Sequence, residues 1–161
     1  TTDHAFFALF ALFLATGAVS LIYYKLKDQD QENVTLLERI VLHVPFSLYH
    51  AWIFALLIVN VFAVVSPIHE DGPSVFQIVL SIAGLCFIAS TVIGYIEYKQ
   101  GDVAGALVLS WYLFGVFAYQ DQPTIHWTSL GLCIAVTAYT LKPLVLRLFG
   151  RQTGETAPLL G

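Results

Sequence analysis

An all-α, polytopic transmembrane helix bundle is the fold class this sequence predicts, on three observations. Hydrophobic residues make up 58% of the 161 and charged residues 11%, where soluble domains carry about 25% charged residues, and the mean hydropathy is +0.77. The apolar residues gather into five runs, each near or above the roughly 20 residues that cross a hydrocarbon core. Short connections rich in Pro, Gly, Asp and Gln separate the runs, so sequential helices are expected to be antiparallel neighbours.

The first run covers about residues 5–24. No basic segment precedes it, so it reads as a helix rather than an intact signal peptide, and with Thr1 in place of Met further sequence is expected upstream. The others cover about 36–65, 75–98, 103–119 and 125–149, followed by a polar tail over 151–161. Threading five spans places Lys25, Lys27, Arg39, Lys99, Lys142, Arg147 and Arg151 on one side. The other side keeps only Asp3, Glu70, Asp71 and Asp121 as charged residues. The positive-inside bias then puts the N-terminus outside or in a lumen and the C-terminal tail in the cytosol. Asn33-Val34-Thr35 matches a glycosylation sequon but falls on the cytosolic side, so it is expected to stay unmodified.

The second run is the unusual one. It holds His43, Pro45, Ser47, His50 and Asn60 within an apolar span, and polar groups in hydrocarbon face other helices or a cavity because exposure to lipid is costly. At 100° per residue His43, Ser47 and His50 share one stripe, blurred if Pro45 kinks the helix. That stripe either lines a site for a headgroup, a tetrapyrrole or a proton path, or places His43 at the interface and His50 as an interhelical tie. Asn60 reads as an interhelical hydrogen bond or a ligand contact. Small-residue stripes carry Gly94 on the third run, Gly101, Gly105 and Gly115 on the fourth, and Gly131 on the fifth, where they let helix backbones approach. Glu97 and Lys142 end two of these stripes near the basic side, either as a buried ion pair or as two snorkelling charges.

The segment Glu38-Arg39 followed by Val44-Pro45-Phe46-Ser47-Leu48-Tyr49-His50-Ala51-Trp52 and Asn60 resembles a helix of eukaryotic members of the translocator protein/tryptophan-rich sensory protein family. The stretch from Gly101-Asp102 through Trp111 to Phe117 is similar to a second helix of that family. The likeness covers roughly residues 8–140 and implies a bundle that binds or senses a lipophilic, tetrapyrrole-, sterol- or lipid-like ligand. It implies His50, Tyr49, Trp52, Asn60, Trp111 and Tyr112 as ligand contacts, with deep Trp rings stacking on a flat molecule. A structural subunit, packed through its glycine faces as a homo-oligomer or on a partner membrane protein, is the alternative; a proton-coupled transporter using Glu97, Asp102 and the histidines is a weaker one.

Several classes are set aside. No nucleophile–base pair, phosphate loop or basic nucleic-acid patch is present, so no enzyme or nucleic-acid partner is expected. Cys86 and Cys133 sit within apolar runs and read as free thiols. His4, His69 with Glu70 and Asp71, and His126 with Asp121 read as solvated loop residues rather than a metal site. The tail residues Glu155, Leu159 and Leu160 match an acidic dileucine sorting signal, which points to a vacuolar or endosomal membrane.

Overall fold

The computed structural model describes residues 2–28, 37, 39–65, 72–99 and 101–154, and every regular element among them is helical. Helix α1 spans Thr2–Asp28. A π-helical turn, Arg39–His43, leads into α2, Val44–Val65. Then come α3, Val75–Glu97, α4, Val103–Tyr119, and α5, Pro123–Gly154. Phe6–Asp28, Ile40–Val65 and Val75–Glu97 are long and apolar enough to cross a membrane, and Val103–Tyr119 is a shorter apolar helix.

Local chemistry sets the helix boundaries. Ser74 caps α3 with a reciprocal capping box: its Oγ accepts from the Gln77 amide at 3.3 Å, and Gln77 Oε1 accepts from the Ser74 amide at 2.7 Å. Asp102 caps α4 by accepting from the Gly105 amide at 3.0 Å. Pro123 opens α5, where its missing N–H is no loss, and Gln122 Oε1 accepts from the Ile125 amide at 2.8 Å. Pro45 falls in the first turn of α2 for the same reason, so the change of winding precedes it, in the π turn, rather than lying between His43 and His50. Residues 151–154, assigned to the tail by sequence, belong to α5.

α4 is the pillar of the packing, in contact with α2, α3 and α5, while α3 and α5 also pack together and α1 lies along α2. Ala106, Leu109 and Leu113 of α4 are fully buried with Ile88 and Val92 of α3 and Ala51 of α2. Aromatic and aliphatic side chains turn outward, Phe7 at 73%, Trp111 at 70% and Phe13 at 63% exposed among them. So much outward apolar surface requires a lipid surround. Intramembrane hydroxyls close onto their own helix: Thr16, Ser90, Ser110 and Thr140 donate to the carbonyls of Leu12, Cys86, Ala106 and Val136.

The expected glycine contacts divide. Gly105 is a true close approach, since a Cβ there would lie 3.1 Å from Ser47 Oγ and from Tyr95 Cε1. Gly101 serves a turn: its φ is +76°, and a Cβ would meet the Ile96 carbonyl at 3.0 Å. Gly94, Gly115 and Gly131 face open space, with nothing within 4 Å of a Cβ, because the packed faces of these helices lie to one side of the predicted stripes. Gly84, not anticipated, is where α2 approaches α3, with a Cβ 2.5 Å from the Phe62 ring.

Antiparallel stacking gathers Lys25, Lys27, Lys99 and Lys142 at one end of the bundle. Lys99 bridges to Asp28 and donates to the Lys27 carbonyl at 3.2 Å. The hydrogen bond to Asp28 holds the Lys99 ammonium above the ordinary lysine value. With Asp28 ionised, the lysine's side of the pair is therefore complete below the ordinary lysine value and fades as pH climbs past the raised one. Glu97 and Lys142 form no ion pair. Instead Tyr139 stands between them, donating its hydroxyl to Glu97 while Lys142 sits 5.3 Å above its ring.

Candidate functional site

Three helix faces with the same spacing converge near the basic end. On α1 they are Ser20, Tyr23, Tyr24 and Lys27. On α2 they are Ser47, His50, Ala51 and Phe54, and on α3 Thr91, Gly94, Tyr95 and Tyr98. Each set repeats at i, i+3, i+4 and i+7, which aligns it along one side of a helix.

Asp102 ties the helices together. The turn after α3, with the Gly101 amide bonded to the Tyr98 carbonyl and the Asp102 amide to that of Tyr95 at 2.7 Å, folds the carboxylate back into the bundle, where Asp102 is 5% exposed. It accepts from Tyr23 Oη at 2.7 Å and from Ser47 Oγ at 2.6 Å, besides the Gly105 amide. Lys27 Nζ lies 3.7 Å away. One residue thus caps α4, bonds α1 and α2, and has a cation beside it. A buried carboxylate is tolerated when its lone pairs and charge are matched in this way.

His50 forms the second node. Its ring stacks on Tyr23, with centroids 4.4 Å apart and planes 10° off parallel. Nε2 lies 2.9 Å from Ser20 Oγ, and Nδ1 lies 2.6 Å from Tyr95 Oη. The Ser20 hydroxyl also lies 2.7 Å from the Thr16 carbonyl, to which it can donate. With that proton on Thr16, the Ser20 oxygen accepts from His50 Nε2–H, and Nδ1 then accepts from Tyr95.

Beside this pair lies a cavity of about 320 Å³, lined by Ser20, Tyr23, Tyr24, His50, Phe54, Phe87, Thr91, Gly94, Tyr95 and Tyr98. It sits where α2 and α3 have little mutual contact, with Tyr24 and Tyr98 packed edge to face at 5.5 Å. Aromatic walls with a few convergent polar groups are the usual make-up of a small-molecule site, and this volume is at the lower end of the range. Thr91 Oγ1 and Ser20 Oγ bond back to their own helices, so the lining is less polar than its composition suggests.

Of the six contacts expected from sequence, His50 lines this cavity and the other five do not. Tyr49 and Trp52 are half exposed on the opposite side of α2, and Trp111 points outward from α4. Tyr112 packs against the apolar core, and Asn60 Nδ2 donates to the Leu56 carbonyl one turn back at 2.9 Å. Tyr23, Tyr24 and Tyr98 line the cavity as well. His43 is half-buried on the π turn, and His126 packs on Phe117 at 4.4 Å. No metal-binding cluster occurs among the described residues. His69, Glu70, Asp71, the sequon and the sorting residues Glu155, Leu159 and Leu160 lie outside the described residues.

The features missed by sequence were Ser20, Tyr23, Lys27, Thr91, Tyr95 and the hub role of Asp102. The repeated polar and aromatic spacing on runs one and three was the available signal.

The fold and site together define an integral membrane helix bundle with a polar-aromatic cavity between its first three helices. The profile of the TSPO-like protein family matches residues 2–142, and the chain belongs to that family. No curated protein and no solved structure gave a match.

Proposed function

We propose that this protein binds or senses an amphipathic, lipophilic ligand within the membrane, without catalysing its conversion. The supporting observation is the cavity between α1, α2 and α3, whose walls include rings from Tyr23, Phe54, Phe87 and Tyr98 and whose lining includes the hydrogen-bonded His50–Tyr95 pair. An apolar molecule with a single polar group matches that distribution. A volume of about 320 Å³ suits a small ring system, or one end of a sterol- or lipid-like molecule, better than an enclosed tetrapyrrole.

In this reading the basic end of the bundle faces the cytosol and the N-terminus lies outside or in a lumen, which the grouping of Lys25, Lys27, Lys99 and Lys142 supports. The dileucine-like residues then lie on the receptor side of a vacuolar or endosomal membrane. Gly115 and Gly131, open to their surroundings, offer close-packing faces for self-association.

Gly94 provides the test. It lines the cavity and a Cβ there meets nothing within 4 Å, so Gly94→Phe should fill the space without disturbing the bundle. Native mass spectrometry in a mild detergent should show a discrete small-molecule adduct on the wild-type protein that is absent from Gly94→Phe. An adduct retained equally by a folded Gly94→Phe variant would contradict the assignment.

A further inference from the structure

We propose that the cavity is selective for an apolar ligand carrying a hydrogen-bond donor, and that protonation of His50 inverts this preference through Tyr95. The inference rests on the ligand-binding reading above and assigns the chemistry of its polar end.

The polarity of one atom carries the argument. Tyr95 Oη has a single hydrogen-bond partner among the described residues, His50 Nδ1 at 2.6 Å. In the tautomer that the Ser20–Thr16 bond favours, His50 donates from Nε2 and its Nδ1 accepts. The Tyr95 proton is therefore held between the two groups, and what Oη offers the cavity is a lone pair. A ligand hydroxyl or amine N–H can donate to it; a carbonyl cannot. Adding a proton to His50 makes both ring nitrogens donors. Nδ1–H then donates to Tyr95 Oη, and the Tyr95 proton rotates toward the cavity. The same atom becomes a donor, and a ligand carbonyl or ether becomes the better partner.

The ionisable groups facing His50 are Tyr23 and Tyr24 from α1 and Tyr95 from α3, with the Asp102 carboxylate at the α4 cap behind Tyr23 and Lys27 beside that carboxylate. None of these rings needs to move for the tyrosine proton to turn. The stack on Tyr23 holds the imidazole in place in both states.

A matched pair of probes tests the inference in nanodiscs by equilibrium binding: 2-naphthol, which donates, and 2-acetylnaphthalene, which only accepts. At pH 7.5 the wild-type protein should bind naphthol about fivefold to tenfold more tightly, the worth of one neutral hydrogen bond. As pH falls toward 4.5 the gap should close and then reverse. His50→Phe keeps the stacking ring but frees the Tyr95 proton for the cavity, so it should prefer the acetyl probe at every pH. A thermal melt of each sample confirms that the bundle is intact. If both probes bind with no difference between them, or with a preference that neither pH nor His50→Phe changes, the proposal is overturned while the binding site stands. If neither probe binds the intact protein, the ligand-binding reading itself falls and the proposal with it.

Discussion

Asp102 is the residue on which most of the bundle's polar interactions depend, because hydrogen bonds from α1, α2 and the start of α4 meet at one carboxylate. Removing a buried acceptor leaves its donors unsatisfied as well as losing the bonds themselves. Asp102→Ala should therefore lower stability by about 2–3 kcal/mol in detergent thermal unfolding. Asp102→Asn, which keeps a good helix cap, should lose clearly less. Equal losses would mean that capping is not what the side chain contributes. In the sequence the residue was legible as part of the family-like stretch and of the transporter alternative, not as a hub for other helices. Its partners Tyr23 and Ser47 are 79 and 55 positions away, and nothing local announces a contact of that range. His50 was legible because a histidine in an apolar span demands an explanation. Trp52 and Trp111 demanded one equally and turned out to face outward, since the lipid surround accepts a large ring as readily as a protein interior does.

At the scale of the element, the phase of each helix decides which glycines matter. Gly105 sits under Ser47 and Tyr95, both held by hydrogen bonds, so neither can yield to a new methyl group. Gly105→Ala should cost about 1–3 kcal/mol by overpacking. Gly94→Ala should instead stabilise α3 by about 0.5–1 kcal/mol, because it removes glycine's backbone freedom and meets no neighbour. Paired melts of the two variants check both signs. At the start of α3, Ser74→Ala removes half of the capping box and should cost about 1 kcal/mol. The five helices themselves were readable from apolar run length and turn composition. Their rotation was less so, because helices that are apolar all round give weak contrast between inward and outward faces. The stripe through Gly94 and Glu97 was drawn on α3, whereas its buried face runs through Leu85, Ile88, Ala89, Val92 and Tyr95.

Over the whole molecule, charge and composition were the dependable guides. The scarcity of charge called for a membrane, and the antiparallel bundle does collect its described lysines at one end. If that end is cytosolic, a protease-cleavable tag after Gly161 should be cut from the cytosolic side of sealed vesicles while a tag before Thr1 stays protected; the reverse pattern would invert the orientation. The cavity was not legible at this scale, because it arises from the divergence of α2 and α3 around side chains from three separate runs. The central claim is that ligand enters that space rather than resting on the outward tryptophans. The most direct measurement is photolabelling in nanodiscs with a diazirine-bearing naphthol, followed by peptide mapping. Labels competed away by excess naphthol should fall within Ser20–Tyr24, His50–Phe54 and Phe87–Tyr98, facing the cavity. Competed labels concentrated instead around Trp111 on α4, with the cavity residues unmarked, would contradict the account.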